Sequence, residues 1–259
     1  MRYEFDFIND KNIGIFGNEM IEADLRELTN LLNEWNHLLH RWYAWNIVLD
    51  SYKEERQKEW EIENEFLKLI INKCLFTPSR IKDVFINIGI ESFHQIRLAT
   101  DNKYKDKIQG YDPSLPKLKP KHLSRRNKEK ILKEVLSFCN HAEFIEKIKI
   151  LNGEYYQKQL TQDYRNLSSH TIAPRITVGT VSPITRTVEK STKIEKNADG
   201  SYSKVEVRDR TSVVYSYGGI EPLDRNKLFD ANIEEFKKAR NCYAEFKKLL
   251  DGTIHKIPK

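Results

Sequence analysis

The chain has 259 residues and a formal net charge of +6, and 39% of its residues are hydrophobic, 11% aromatic and 32% charged. This composition is typical of a globular protein with a sizeable core, and no apolar run approaches the roughly 18 residues that span a bilayer. The positive charge is compatible with a polyanionic partner, although many proteins of this size carry as much without binding one.

Helical spacing dominates the first hundred residues. Apolar residues recur at steps of three and four and predict an amphipathic helix over 19–70, with one break at most. The charged stretch 53–65 predicts a solvent-facing part of this helix. Proline and its neighbours at 77–79 predict a stop, followed by a second helix over 81–98.

The clearest loop of the chain is 110–122, which holds three prolines and a glycine. Ser124 follows it as a candidate N-cap for a helix whose apolar stripe includes Leu132 and Val135. A further helix is predicted from Ala142 to about Ser168.

The composition changes after Pro174. Residues 176–217 are rich in Val, Thr, Ile and Tyr alternating with charges, and the turn sequence 197–200 divides them, so they predict a β-hairpin. A last helix is predicted over 230–250. The fold class is therefore mainly α: a four-helix-type bundle with extra N-terminal helices and a β-hairpin insertion before the last helix.

The segment Asp-Tyr-Arg-Asn-Leu-Ser-Ser-His, at 163–170, carries the strongest functional signal. Asn166 directly follows Arg165, and His170 stands five positions after that Arg, near the end of a predicted helix. This pattern resembles the signature of the HEPN superfamily, an Arg followed by four to six residues and a His, often with a polar residue after the Arg. The order of helices around the motif is also similar.

The resemblance implies a HEPN-like core over 121–259, with the N-terminal helical region 1–120 packing on it in one compact domain. It also implies a metal-independent endoribonuclease of bacterial toxin–antitoxin or anti-phage defence systems. The expected partners are RNA, a second copy of the chain, and an antitoxin or another defence protein. No metal and no cofactor are expected, and the protein is expected to be cytoplasmic.

The chemistry of these residues fits RNA cleavage, in which a 2′-hydroxyl attacks the adjacent phosphate. His170 is the candidate for proton transfer, because the pKa of histidine lies near neutrality. Arg165 is the candidate for holding the phosphate with two hydrogen bonds. Asn166 would orient one of these groups or the phosphate, and Tyr164 and Ser169 are candidate RNA contacts.

Geometry imposes a condition on this pair. Residues five apart in a regular helix are rotated by roughly 140°, so Arg165 and His170 converge only if the helix ends or tightens near Ser168. Pro174 favours an end there. HEPN proteins typically dimerise so that two such pairs line one cleft, and the resemblance implies that each Arg serves with the other copy's His.

Further candidate RNA contacts lie in the basic stretch 117–130, namely Lys121, Arg125 and Arg126. A solvated linker and helix start is an equally good interpretation of that stretch. The hairpin is open to three interpretations: a substrate guide, with Arg186, Arg208 and Arg210 as RNA contacts, a dimerisation arm, or a docking edge for another protein.

Plainer interpretations stand beside the catalytic one. The motif is also compatible with a surface Arg and a His at a helix end, or with a non-catalytic HEPN module that binds RNA, a nucleotide or a protein. Tryptophans 35, 42, 45 and 60 at helical spacing favour core or interface positions over base stacking. His37 and His40 lack further ligands for a metal site. Three cysteines without metal spacing are typical of a reducing compartment.

Overall fold

The computed structural model describes residues 1–9, 11, 13, 16–104, 125–181, 184–255 and 257. Helices dominate these residues, and the named strands form one two-stranded antiparallel sheet, which confirms the mainly helical prediction. The predicted loop 110–122 and the candidate cap Ser124 lie outside the described residues. No helix in the described ranges is long and apolar enough to cross a membrane.

The contacts of the chain divide it into two units, Met1–Gln162 with Asn226–Lys259, and Asp163–Arg225. The elements in chain order are α1 (Asp6–Asn9), α2 (Gly17–Asp50), α3 (Arg56–Ile62), α4 (Lys68–Thr100), α5 (Arg125–Val135), α6 (Ala142–Ile150), α7 (Tyr164–His170), β1 (Ile184–Lys196), β2 (Tyr202–Tyr217) and α8 (Arg225–Ile254). Single π-helical turns at Glu63–Leu67 and Tyr155–Leu160 and a short 3-10 turn at Leu136–Phe138 complete them.

The core of the first unit lies between the long helices α2, α4 and α8. Aromatic rings from these helices meet edge to face: Trp35 contacts Phe236 with ring centroids 5.4 Å apart, and Phe93 contacts Phe246 at 5.9 Å. The apolar spacing that predicted α2 becomes its buried face, which includes Leu25, Leu28 and Leu32 among others. Burial of these side chains supplies the main driving force for packing.

Pro78 does not stop the helix, so the prediction of a break at 77–79 was wrong. It lies inside α4, and Cys74, Leu75 and Ile81 on either side of it are buried. A proline inside a helix removes one backbone hydrogen bond. The apolar surface buried around Pro78 outweighs that loss, since tertiary packing often overrides local propensity.

The single helix predicted from Ala142 to about Ser168 is instead three pieces. Left-handed backbone at Asn152 (φ 50°) ends α6, and left-handed Gln162 (φ 48°) and Asp163 (φ 57°) precede α7. The first break is held from a distant part of the chain, because the buried Glu235 carboxylate accepts the Asn152 N–H at 2.7 Å. A buried backbone donor needs such a partner.

The β-hairpin is confirmed, although its strands begin at Ile184 rather than near 176. The strands pair from Ile184 opposite Tyr217 to Lys196 opposite Tyr202, with a register shift between Lys190 and Thr192. Gly200 adopts φ 86° in the predicted turn, which an L side chain rarely adopts. Before the hairpin, Ile176 and Val181 form isolated bridges with Leu223 and Ile220.

Asp24 gives the stability of the first unit a pH dependence. Burial, together with the charge of nearby Glu91, raises the pKa of this carboxyl to about 7. The unfolded chain ionises Asp24 from about pH 4, whereas the folded chain resists until about pH 7. The folded state therefore loses stability from this group as the pH rises between those values.

We expect Asp24→Asn to raise the midpoint of thermal unfolding at about pH 8 and to change it little at about pH 4. Thermal unfolding followed by circular dichroism measures both, with Glu27→Gln, exposed on the same helix, as the matched control. Equal shifts at the two pH values would contradict the assignment.

Candidate active site

The Arg–Asn–His motif lies on α7, a short helix with a defined start and end. The Asp163 carbonyl accepts the Leu167 N–H at 3.0 Å, which closes the first turn after the left-handed residues. At the other end, the Thr171 N–H donates to the Leu167 carbonyl at 2.8 Å. The motif is thus presented on its own helical segment within the second unit.

One side of α7 is turned inward. Tyr164 is buried and Leu167 is half-buried, whereas the other five residues of the helix are exposed. Burial raises the pKa of the Tyr164 hydroxyl, against the opposing effects of its hydrogen bond with Ser168 and the charge of Arg175. The structure therefore buries Tyr164, a predicted RNA contact, on the inward side of the helix.

The opposite side of α7 carries the predicted site residues. At roughly 100° per residue, helical rotation places Arg165, Ser169, Asn166 and His170 in that angular order across an arc of roughly 140°. All four are exposed. We call these four residues the polar arc.

Two members of the polar arc are already hydrogen-bonded. The Asn166 amide donates to the Asp163 carboxylate at 3.3 Å, and the Ser169 hydroxyl donates to the Arg165 carbonyl at 2.9 Å. The Arg165 guanidinium and the His170 imidazole have no hydrogen-bond or ion-pair partner among the described residues. Both are therefore available to an anionic ligand.

Arg165 and His170 could converge within one chain only if the helix ended or tightened near Ser168, and this condition is not met. The helix continues through His170 instead of ending near Ser168, so Arg165 and His170 occupy the two edges of the polar arc. Side chains rotated by roughly 140° do not converge on one phosphate from a single helix. A site built from both residues needs a second contributor.

The RNA contacts predicted in the basic stretch 117–130 belong to the first unit or lie outside the described residues. The Arg125 guanidinium donates to both carboxylate oxygens of Asp83, at 2.5 and 2.6 Å, and to the Ser79 hydroxyl at 2.9 Å. These bonds occupy the Nε and Nη2 donors of Arg125. Arg126 is exposed on α5, and Lys121 lies outside the described residues.

The exposed tyrosines of the hairpin were not among the predicted RNA contacts. Tyr202, Tyr215 and Tyr217 are all exposed, whereas only arginines had been singled out there. The signal was present in the alternation of β1 and β2, but the strand register was needed to see which residues share a face.

No protein-family model matches the chain, and comparisons with curated proteins and with solved structures found no match. Across the described ranges, no group of three or more His, Cys, Asp or Glu side chains is arranged to hold a metal ion. The features that point to a function are therefore the polar arc and the motif from which it is built.

Proposed function

We propose that this protein is a metal-independent endoribonuclease of the HEPN type, with Arg165 and His170 as its catalytic residues. The observation that carries the proposal is the polar arc, where a guanidinium and an imidazole, both without a partner in the part of the chain that the structure describes, flank Asn166 and Ser169 on an exposed helix face. These are the groups that phosphate binding and proton transfer need.

The proposed reaction uses the RNA's own nucleophile. The 2′-hydroxyl oxygen attacks the adjacent phosphorus, the bond from phosphorus to the 5′-oxygen breaks, and a 2′,3′-cyclic phosphate and a 5′-hydroxyl result. His170 accepts the proton of the 2′-hydroxyl or supplies one to the departing 5′-oxygen. Arg165 donates to the phosphate oxygens and stabilises the charge that develops on them.

In a homodimer, the second chain would provide the residue that completes each Arg–His pair. Two copies of α7 related by a two-fold axis would place Arg165 of one chain beside His170 of the partner subunit, and the reverse, in one cleft. Asn166 and Ser169 lie between the two edges and would face the scissile phosphate. The bond between Asn166 and Asp163 holds that amide in place before RNA binds.

The proposal is tested with purified protein, a labelled oligoribonucleotide and EDTA. We expect cleavage that leaves 2′,3′-cyclic phosphate ends. A single 2′-deoxynucleotide at the cleavage position should block the reaction, because it removes the attacking hydroxyl. Cleavage that persists across the deoxynucleotide, or that stops in EDTA, would overturn the mechanism.

A role in toxin–antitoxin or anti-phage defence predicts that overexpression slows bacterial growth. We expect His170→Ala to relieve this defect, because RNA cleavage would be lost while the fold remains. Growth curves at equal protein levels, checked by immunoblot, measure the effect. Equal growth defects from the two proteins would contradict the proposal.

One observation favours a second candidate, a non-catalytic HEPN module that binds RNA, a nucleotide or a partner protein. Because α7 continues through His170, its two key side chains diverge within one chain. A protein that stays monomeric in solution would then present Arg165 and His170 as separate contacts. In that case His170→Ala would leave binding intact and there would be no cleavage to lose.

A further inference from the structure

The two faces of the β-hairpin differ sharply in chemistry. In an antiparallel pair, alternate residues and their cross-strand partners share a face. The register places all the large exposed apolar side chains of the hairpin on the face that carries the even-numbered residues of β1: Ile184, Val188, Ile194, Tyr202, Val213, Tyr215 and Tyr217. We call this the tyrosine face.

These side chains are well exposed, with Tyr215 at 63%, Tyr217 at 83% and Ile194 at 75% of their full accessible surface. The opposite face is polar, with Thr187, Glu189, Lys193, Glu195, Ser203 and Ser212 among its residues. Its valines, Val205 and Val214, are half-buried. Five of the apolar side chains cluster toward the open end of the hairpin, and Ile194 and Tyr202 lie nearer the turn. An exposed apolar cluster of this kind marks an interaction surface.

Charge distinguishes the possible occupants of the tyrosine face. Four basic side chains and one acidic side chain share it: Arg186, Lys190, Lys196, Lys204 and Glu206. Glu206 pairs with Lys190 at 3.0 Å, which leaves three basic groups in excess. A second copy of the same face would oppose like charges, whereas a polyanion complements them.

We infer that the tyrosine face binds single-stranded RNA, with unpaired bases stacked on its tyrosine rings and phosphates beside its basic side chains. Tyr215 and Tyr217 lie about 7 Å apart along β2, and the face extends over about 40 Å of strand. Surfaces that combine aromatic rings and positive charge in this way bind single strands with little sequence preference. The inference rests on the proposed function only in taking RNA as the nucleic acid.

Binding is measured apart from cleavage by using full-length His170→Ala protein in EDTA. The probe is a fluorescent oligouridylate of about 12 nucleotides, within the site sizes of such surfaces, followed by anisotropy. Adding Tyr215→Ala and Tyr217→Ala together should weaken binding on the order of a hundredfold, or about tenfold per ring. Tyr215→Phe with Tyr217→Phe should bind like the parent, since the rings remain.

The matched control is Thr187→Ala combined with Ser212→Ala. These two residues lie on the same strands but on the opposite face of the hairpin, so the affinity should not change. Replacing Arg186 and Lys204 with Gln should lower the slope of log affinity against log salt by about 1.4, or about 0.7 per cation. This second measurement keeps the inference testable if the alanine variant misfolds.

Three results would overturn the inference: unchanged affinity in the double alanine variant, equal affinity for a duplex of the same length, or an unchanged salt slope. Sedimentation without RNA tests the other occupant. Loss of a dimer in the alanine variant, with RNA affinity intact, would assign the face to contacts between copies. Because all binding is measured without cleavage, failure here leaves the catalytic proposal standing, and the reverse also holds.

Discussion

We expect His170→Ala to lower the rate of the proposed RNA cleavage by a factor of about 10² to 10⁴, the range expected when a general acid or base is removed. Arg165→Ala should lower it by about 10² to 10³, as the loss of a donor to a developing oxyanion does. Both side chains are exposed and unpaired among the described residues, so neither substitution removes a contact that holds the fold. Single-turnover cleavage with excess enzyme measures these rates, and circular dichroism checks folding.

His40→Ala and Arg26→Ala are the matched controls, because each removes an exposed side chain of the same type from α2. They should cleave at the parent rate. If all of the variants cleave equally, the activity does not originate on α7. If the controls lose activity as well, the loss reflects the removal of positive charge anywhere on the protein and not a role of the motif.

Trp42→Ala should destabilise the first unit by about 3 to 5 kcal/mol. The side chain is fully buried, and its ring meets Phe229 edge to face with centroids 5.4 Å apart. Its removal leaves a cavity, and the apolar side chains around that cavity lose their dispersion contacts with the ring. Urea unfolding followed by far-UV circular dichroism gives the change in the free energy of unfolding.

Trp60→Ala is the control for this substitution, since Trp60 is 47% exposed on α3. We expect a change well below that of Trp42→Ala, of about 0.5 kcal/mol as for surface positions. Similar losses from both would contradict the assignment of Trp42 to the core. The burial of Trp35 and Trp42 also removes them as base-stacking residues, as the helical spacing had predicted.

Local sequence patterns predicted those parts of the fold that depend on neighbouring residues. The apolar spacing of α2 and the turn at 197–200 both reappear, because helix amphipathicity and turn chemistry act over a few residues. Pro78 was misjudged because the surface buried around it comes from other helices. The boundary near residue 120 stays a prediction, since it lies outside the described residues.

The candidate site shows the same division between local and distant causes. The motif at 163–170 could be found from residue types alone, and its exposure follows from the inward side chains of Tyr164 and Leu167. The helix break at Asn152 could not be predicted in this way, because Glu235, which accepts the Asn152 N–H, is far along the chain. The tyrosine face likewise needed the strand register, which a bulge shifts between Lys190 and Thr192.

Mixing Arg165→Ala protein with His170→Ala protein tests the central claim most directly, because the polar arc predicts that neither residue suffices without a partner chain. In a mixed dimer, one of the two Arg–His pairs has lost both residues and the other pair keeps both. Random exchange of subunits should therefore restore about a quarter of the parent cleavage rate, from two proteins that are each inactive alone. A mixture that stays as inactive as its components would contradict a shared site on α7.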